Sequence, residues 1–210
     1  MLVVIITGGI ASGKSFILRY LKKLSYNVFE TDCIAKGLMQ SEDFLKKIKI
    51  QPGYTVKQKI ESDPQFLDEI ETIIHPEIYK YRDKWLQTMI LDQKMVFIEI
   101  PLFFEKNLRS ILKEKYTILV IATITGIYKQ KIRAQKRDLT LSDKLIEIIL
   151  KKQCNDEQRV AESDFIVYTY QSKLQVKKQV KNILNILKYE CINRNSTRFR
   201  NNWTQSNKGS

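Results

Sequence analysis

The chain has 210 residues, a length that suits one domain or one domain with a small insert. Its 36 Lys and Arg residues against 23 Asp and Glu residues give a formal net charge of +13, which favours nucleic acid, anionic lipid or phosphorylated small molecules as partners. One histidine and three scattered cysteines exclude a zinc finger and a disulfide scaffold. We find no apolar stretch long enough to cross a membrane and no signal peptide, so we expect a cytoplasmic protein without a membrane partner.

Strands and helices alternate along the chain. The first strand is a continuous apolar run at 2–6, typical of a strand buried on both faces of a parallel sheet. Further strands are predicted at 26–29, 95–100, 117–122 and 165–168, and helices at 13–24, 33–50, 125–137, 142–160 and 173–187. This alternation predicts an α/β fold with a five-stranded parallel sheet and helices on both faces. Ligands of such sheets bind beyond the carboxyl ends of the strands.

A glycine-rich motif follows the first strand. Residues 8–15 fit the pattern G-x-x-x-x-G-K-[ST] between a strand and a helix, which is the context that a phosphate-binding loop (P-loop) requires. The glycines permit backbone angles that wrap amide N–H groups around a phosphate, and the helix start adds its positive dipole end. Lys14 can reach the β- and γ-phosphates, and Ser15 offers a hydroxyl to Mg²⁺. The predicted ATP-binding residues are Gly8, Gly9, Ala11, Ser12, Gly13, Lys14, Ser15 and Phe16.

This motif predicts nucleotide binding and leaves the reaction open. A dinucleotide-binding G-x-G-x-x-G pattern fails, because Ile10 stands where its second glycine is required. The sequence contains no guanine-specificity motif such as N-K-x-D, and the chain is short for a motor ATPase, so a small-molecule kinase is favoured. The plainer alternative is a glycine turn in front of an ordinary helix.

Two acidic residues follow predicted strands. Asp32 comes after the second strand, where it can accept the proton of a hydroxyl attacking a γ-phosphate or bind Mg²⁺ through water. Alternatively, Asp32 caps the helix that is predicted to start at Cys33. Glu99 ends the third strand and could support Mg²⁺ from there.

A basic face is predicted on the helix at 125–137. Lys129, Arg133 and Arg137 are spaced by four residues and therefore share one side of that helix. Like charges at this spacing cost about 0.2–0.5 kcal/mol per pair, which a bound polyphosphate would offset. Arginine suits phosphoryl oxygens, although the alternative is a solvated basic face.

The order of several motifs resembles that of the dephospho-CoA kinase family. The motifs are T-G-G-I-A-S-G-K-S at 7–15, E-T-D-C-I-A at 30–35, I-I-H-P at 73–76, P-L-F-F-E at 101–105, Q-K-I-R-A-Q-K-R-D at 130–138 and Q-C-N-D-E-Q-R-V-A-E-S-D at 153–164. The resemblance spans about residues 1–187. It implies a P-loop kinase that uses ATP to phosphorylate the 3′-hydroxyl of dephospho-CoA, giving coenzyme A and ADP.

The resemblance also implies roles for single residues. Asp32 would be the catalytic carboxylate and contact the substrate, while Lys14 keeps its nucleotide role. Arg133 and Arg137 match positions in a mobile lid over ATP, so the predicted catalytic residues are these two arginines with Asp32 and Lys14. His75, which precedes Pro76 at a predicted helix start, is expected to bind dephospho-CoA. Mg²⁺ is the expected cofactor, held by Ser15.

The implied organisation is a nucleotide-binding core with a lid and a small helical substrate region. The core comprises 1–49 and 93–187 with the lid at about 125–160, the helical substrate-binding insert covers 50–92, and 188–210 form a disordered tail.

The sequence departs from the family pattern at several places. Phe16 replaces Thr, Ala11 replaces a common Gly, Tyr168-Thr169-Tyr170 replace an Asn-containing stretch, and the segment at 41–60 is shortened.

Two rival functions remain at this point. The nearer one is another small-molecule kinase acting on a nucleoside or a nucleoside monophosphate. The more distant one is a nucleotide-dependent RNA-binding protein, which is disfavoured because the basic residues are dispersed and no nucleic-acid-binding module is recognisable. The expected partners are therefore ATP and dephospho-CoA.

Overall fold

The computed structural model describes residues 1–48, 50, 54–90 and 94–193. Its strands are β1 Leu2–Gly8, β2 Val28–Glu30, β3 Met95–Glu99, β4 Thr117–Ile124 and β5 Phe165–Tyr168. Its helices are α1 Lys14–Lys23, α2 Thr31–Met39, α3 Glu42–Lys47, α4 Val56–Ser62, α5 Phe66–Met89, α6 Leu108–Lys113, α7 Ile127–Arg137, α8 Asp143–Lys151, α9 Asp156–Glu162 and α10 Lys173–Asn193. Within these ranges no helix is both long and apolar enough to span a membrane.

The predicted five-stranded parallel sheet is confirmed. Its strand order is β2-β3-β1-β4-β5, and each neighbouring pair is parallel. The central strand β1 is buried along its whole length, which explains its continuous apolar sequence. The register pairs Ile6 with Glu99 of β3 and Gly8 with Thr123 of β4. The ends of these strands therefore meet at one edge of the sheet, where the P-loop begins.

The helices predicted for both faces of the sheet are also present. Val4 of β1 packs against α1 and α10 on one face, and Val3 packs against α5 and α6 on the other. Alternate residues of one strand thus belong to two different apolar clusters, as the pleat of a strand requires.

A third apolar cluster lies among the helices outside the sheet. It joins α2, α3, α4, the first part of α5, and α8, with Phe44, Ile70 and Leu145 among its buried members. The helices within the predicted insert at 50–92 therefore share their core with helices on both sides of it in the chain. The division into core, insert and lid stays a prediction.

Two predicted helices are each divided in two. The one predicted at 33–50 breaks before α3, because the Ser41 hydroxyl accepts the Phe44 N–H at 3.3 Å and caps a new helix. The one predicted at 142–160 breaks before α9, where Asn155 caps by accepting the Gln158 N–H at 2.7 Å. In both places an uncharged polar residue is followed by two acidic residues, a pattern typical of a helix start.

The expectation that His75 and Pro76 begin a helix is wrong. Pro76 lies inside the 24-residue helix α5. A proline within a helix costs about 3 kcal/mol. Ile70, Ile74 and Ile78 are buried on either side of it, and each buried isoleucine contributes about 1.5–3 kcal/mol, which offsets that cost.

The last helix is longer than predicted. α10 runs to Asn193, so the first residues of the predicted tail, 188–193, are helical. The reason is that Cys191 still packs against the apolar cluster formed with α1 and β1. The rest of the predicted tail lies outside the described residues.

Truncating Leu86 tests how α5 is attached to the sheet. Leu86 is fully buried among residues of β1 and β3, so Leu86→Ala is expected to lower the free energy of unfolding by about 2–5 kcal/mol. Tyr81 lies on the same helix and is 49% exposed, so Tyr81→Ala is expected to change the free energy of unfolding by less than about 1 kcal/mol. Urea denaturation of both variants measures the difference, and equal losses would contradict this packing.

Candidate active site

The P-loop connects β1 to α1 and depends on glycine at two positions. Gly8 has φ 146° and Gly13 has φ 103°, values that side-chain-bearing residues rarely adopt. A Cβ atom at Gly8 would lie 2.1 Å from the Thr123 Oγ1, and one at Gly13 would lie 3.0 Å from the Thr169 Cβ. The loop is therefore pressed against β4 and against the residue that follows β5.

Buried hydroxyl groups hold the P-loop from behind. The Ser12 and Thr123 hydroxyls are 2.6 Å apart, and Thr123 donates to the Thr7 carbonyl at 3.1 Å, so Ser12 is the donor to Thr123. On the other side the Thr169 hydroxyl donates to the Ser12 carbonyl. Ser12, Thr7 and Thr123 are fully buried, and Thr169 is 6% exposed. We call Thr7, Thr123 and Thr169 the threonine backing.

Lys14 is folded back onto the loop. Its ammonium donates to the Gly8 carbonyl at 2.9 Å and to the Gly9 carbonyl at 3.0 Å. Burial lowers the pKa of Lys14, and the negative charges of Asp32 and Glu99 oppose that shift. An ammonium has three N–H donors, so one is left for a ligand beside the loop.

A cleft of about 170 Å³ opens in front of the P-loop. It is lined by Ile10, Ala11, Ser12, Gly13, Lys14, Ser15, Asp32, Pro101, Arg137, Ile149 and Gln153. The structure thus brings residues 10–15 of the loop together with Asp32 and Arg137, while Gly8 and Gly9 are not part of the lining. Phe16 does not line this cleft, because its side chain packs against the apolar core.

Asp32 is exposed in the first turn of α2. The residue that precedes this helix is Glu30, and neither Glu30 nor Asp32 caps the helix with its side chain. The alternative that Asp32 serves as the helix cap is therefore wrong. Its carboxylate lines the cleft and forms no salt bridge with the described residues.

Glu99 is the buried member of a small acidic group. The register pairs it with Glu30, which is salt-bridged to Lys22. Glu99 is only 1% exposed, and its Oε1 has no hydrogen-bond partner within the part of the chain that the structure describes. Burial and the charge of Asp32 raise the pKa of Glu99 to about 8, although Lys14 opposes this.

Oxygen atoms suited to Mg²⁺ lie beside the loop. The described residues contain no group of three or more His, Cys, Asp or Glu side chains that could hold a metal ion alone. Mg²⁺ usually binds through one or two protein groups together with substrate phosphates, so such a group is not required. The Ser15 hydroxyl and the Asp32 carboxylate line the cleft and are oxygen donors that fit this ion, while the unpartnered Glu99 Oε1 is buried and is not part of the cleft lining.

The basic face of α7 does not converge on the cleft. Arg133 donates to the Thr169 carbonyl at 2.7 Å, and Lys129 donates to the Tyr170 carbonyl at 3.3 Å. Arg137 alone of the three lines the cleft. Residues four apart on a helix are separated by about 6 Å along its axis. Residues on one face of α7 can therefore contact different parts of the protein. The predicted catalytic role of Arg133 stays a prediction.

His75 lies apart from the residues that line the cleft. Its ring stacks on Tyr79 with the ring centres 5.9 Å apart, and it is half-buried on α5. Burial lowers the pKa of His75, so the neutral imidazole is favoured. Its predicted contact with dephospho-CoA stays a prediction.

Gln153 is a member of the site that the sequence analysis did not single out. It lies between α8 and α9, and its Oε1 accepts the Ile10 N–H at 2.9 Å. The only sequence signal was its place at the start of the motif at 153–164. The threonine backing was missed as well, because the sequence does not show that Thr7, Thr123 and Thr169 come together around Ser12.

Comparison with known proteins places this geometry in a family. The family model described as dephospho-CoA kinase (CoaE) matches residues 2–174. The dephospho-CoA kinase of Fusobacterium nucleatum is 27% identical over 179 residues, which cover 80% of this chain and 89% of that protein. The enzyme of Bartonella quintana is 29% identical over 200 residues, covering 90% of this chain and 100% of that protein.

The fold is similar to that of solved structures too. A crystal structure from Thermus thermophilus matches with a TM-score of 0.69 at 24% identity, covering 89% of this chain and 97% of that one. Since the family model matches most of the chain, and does so across the P-loop, Asp32 and Arg137, this protein belongs to the dephospho-CoA kinase family.

Proposed function

We propose that this protein transfers the γ-phosphoryl group of ATP to the 3′-hydroxyl of dephospho-CoA, giving coenzyme A and ADP. One observation carries the proposal. The exposed Asp32 carboxylate shares a cleft with the P-loop of a chain that belongs to the dephospho-CoA kinase family. The cleft therefore contains both a nucleotide-binding loop and a carboxylate that can accept the proton of an alcohol substrate.

The P-loop holds the phosphates of ATP. Its amide N–H groups and the start of α1 provide a positive environment for phosphate oxygens. The free N–H of Lys14 reaches the β- and γ-phosphates. Because the threonine backing fixes the loop in advance, little reorganisation is needed when charge develops on the moving group.

Asp32 activates the acceptor. As the 3′-oxygen forms its bond to the γ-phosphorus, the bond from that phosphorus to the β–γ bridging oxygen breaks and ADP leaves. The hydroxyl proton passes to the Asp32 carboxylate, whose exposed position leaves room for the acceptor. Arg137 lies in the same cleft and stabilises the charge on the transferring group.

We also propose Mg²⁺ as the cofactor, with Ser15 as its direct ligand and Asp32 and Glu99 as supporting oxygens. When bound, Mg²⁺ neutralises charge on the β- and γ-phosphate oxygens. The cytoplasmic location expected from the sequence stays part of this proposal.

A panel of acceptors tests the reaction. ADP release from ATP is measured with dephospho-CoA, with a nucleoside, with a nucleoside monophosphate and without acceptor. Dephospho-CoA is expected to stimulate ADP release most strongly. Stronger stimulation by a nucleoside or its monophosphate would contradict the proposed acceptor.

Replacing Asp32 tests the proposed base. Asp32→Asn keeps the shape of the side chain but removes the proton acceptor, so kcat is expected to fall at least about 100-fold while the thermal unfolding temperature is unchanged. Asp43→Asn is the matched control, because Asp43 lies in the first turn of α3 and forms no salt bridge with any residue that the structure describes. Turnover near that of the wild type in Asp32→Asn would refute the assignment.

Replacing Arg137 tests the basic residue of the cleft. Arg137→Ala is expected to lower kcat/KM for phosphoryl transfer at least about tenfold, because a charged donor facing the phosphoryl group is lost. Lys136 is exposed on the same last turn of α7 and is absent from the cleft lining, so Lys136→Ala is expected to keep the wild-type value. Equal effects of the two variants would indicate general electrostatics instead of a specific contact.

A further inference from the structure

Gln153 contacts the P-loop from a distant part of the chain. Its Oε1 accepts the Ile10 N–H at 2.9 Å, and its half-buried side chain lines the same cleft as Lys14, Asp32 and Arg137. In the proposed phosphoryl transfer the P-loop, Asp32 and Arg137 have roles, and Gln153 has none.

The backbone around Gln153 is fixed by several hydrogen bonds. The Gln153 N–H donates to the Leu150 carbonyl at 3.1 Å, and the next N–H, that of Cys154, donates to the Glu105 Oε1 at 2.7 Å. Glu105 in turn lies 3.5 Å from the buried guanidinium of Arg159. The side chain therefore starts from a constrained backbone, which is what a preorganised donor requires.

The chemistry of the amide group decides which atom faces the ligand. A glutamine side chain has one carbonyl oxygen and one NH₂ group, and only the oxygen can accept the Ile10 N–H. The NH₂ group is then left over, and it donates to no other described residue. Two N–H donors thus remain on a residue of the cleft wall.

The position along the loop favours the γ-phosphoryl group over the β-phosphate. In a loop of this kind the backbone N–H groups hold the α- and β-phosphates, and the lysine, here Lys14, reaches the β- and γ-phosphates. Ile10 lies on the opposite limb of the loop, and Gln153 shares the cleft with the proposed base Asp32. Because Gln153 shares the cleft with Asp32 and Arg137, its free amide donor is placed among the groups that the proposed mechanism assigns to the γ-phosphoryl group.

We propose that Gln153 is a further catalytic residue, whose Nε2 donates a hydrogen bond to a non-bridging oxygen of the γ-phosphoryl group during transfer. This inference rests on the proposed kinase function. Gln153 forms and breaks no covalent bond and exchanges no proton. It stabilises negative charge on the phosphoryl group while its oxygen steadies the P-loop.

The isosteric variant Gln153→Glu separates these two tasks. A carboxylate still accepts the Ile10 N–H, but it replaces the NH₂ donor with a negatively charged oxygen. Turnover of ATP with dephospho-CoA is measured together with binding of ADP and of a non-hydrolysable ATP analogue. We expect kcat to fall at least about 100-fold and the affinity for the analogue at least about tenfold. The affinity for ADP, which lacks the γ-phosphate, is expected to stay within about threefold of the wild type.

Gln158→Glu is the matched control. Gln158 lies on α9, close in sequence to Gln153, but it does not line the cleft. The same charge change there is expected to leave turnover and both affinities at wild-type values.

Two results would overturn the inference. One is wild-type turnover in Gln153→Glu. The other is an equal loss of ADP and analogue binding, since that would mean that Gln153 only supports the loop. If the glutamate variant does not fold, Gln153→Met, which lacks both donor and charge, is expected to lower kcat at least about tenfold, and wild-type kcat in it overturns the inference as well. Failure of the proposed function is distinguished from these results, because the wild-type enzyme itself would then not phosphorylate dephospho-CoA.

Discussion

The threonine backing holds the P-loop, and the other groups of the site are arranged around that loop. Two glycines with positive φ bring the loop backbone so close to its neighbours that a Cβ atom would clash with Thr123 at Gly8 and crowd Thr169 at Gly13. The hydroxyls in that narrow space bond to Ser12 on both sides of the loop. A loop with such buried partners keeps its amide groups in place before any phosphate arrives, which is the condition for electrostatic stabilisation of a transition state.

Each functional group reaches this loop from a different layer of the fold. Asp32 comes from the helix after an outer strand, Arg137 from the end of α7, and Gln153 from the connection between α8 and α9. Arg133 joins α7 to the carbonyl of Thr169, whose hydroxyl supports the loop. α7 therefore lies against the P-loop region through Arg133 and also through Gln130, which packs beside Gly9. Of the basic side chains, those of Lys14 and Arg137 line the cleft, so two positive charges face the proposed polyphosphate site.

Sequence reasoning succeeded where the signal was local. The motif at 8–15 predicted the loop, and the position of Asp32 after a strand predicted its place at the cleft, because parallel strands end at one edge. It failed where distant residues decide the outcome. The contact between Gln153 and Ile10 depends on a helix break that periodicity concealed, and Pro76 stays helical only because buried isoleucines surround it. The equal spacing on α7 could not show that Arg133 binds the Thr169 carbonyl whereas Arg137 lines the cleft.

The most direct test of the threonine backing is the affinity for ADP of Thr169→Val, measured by calorimetry in the presence of Mg²⁺. Valine keeps the shape of the side chain but leaves the Ser12 carbonyl without its donor, so the affinity is expected to fall at least about tenfold. Thr125→Val is the control, because the buried Thr125 hydroxyl has no hydrogen-bond partner in the described part of the chain and its loss should leave the affinity unchanged. Wild-type affinity in Thr169→Val, or equal losses in both variants, would contradict the account.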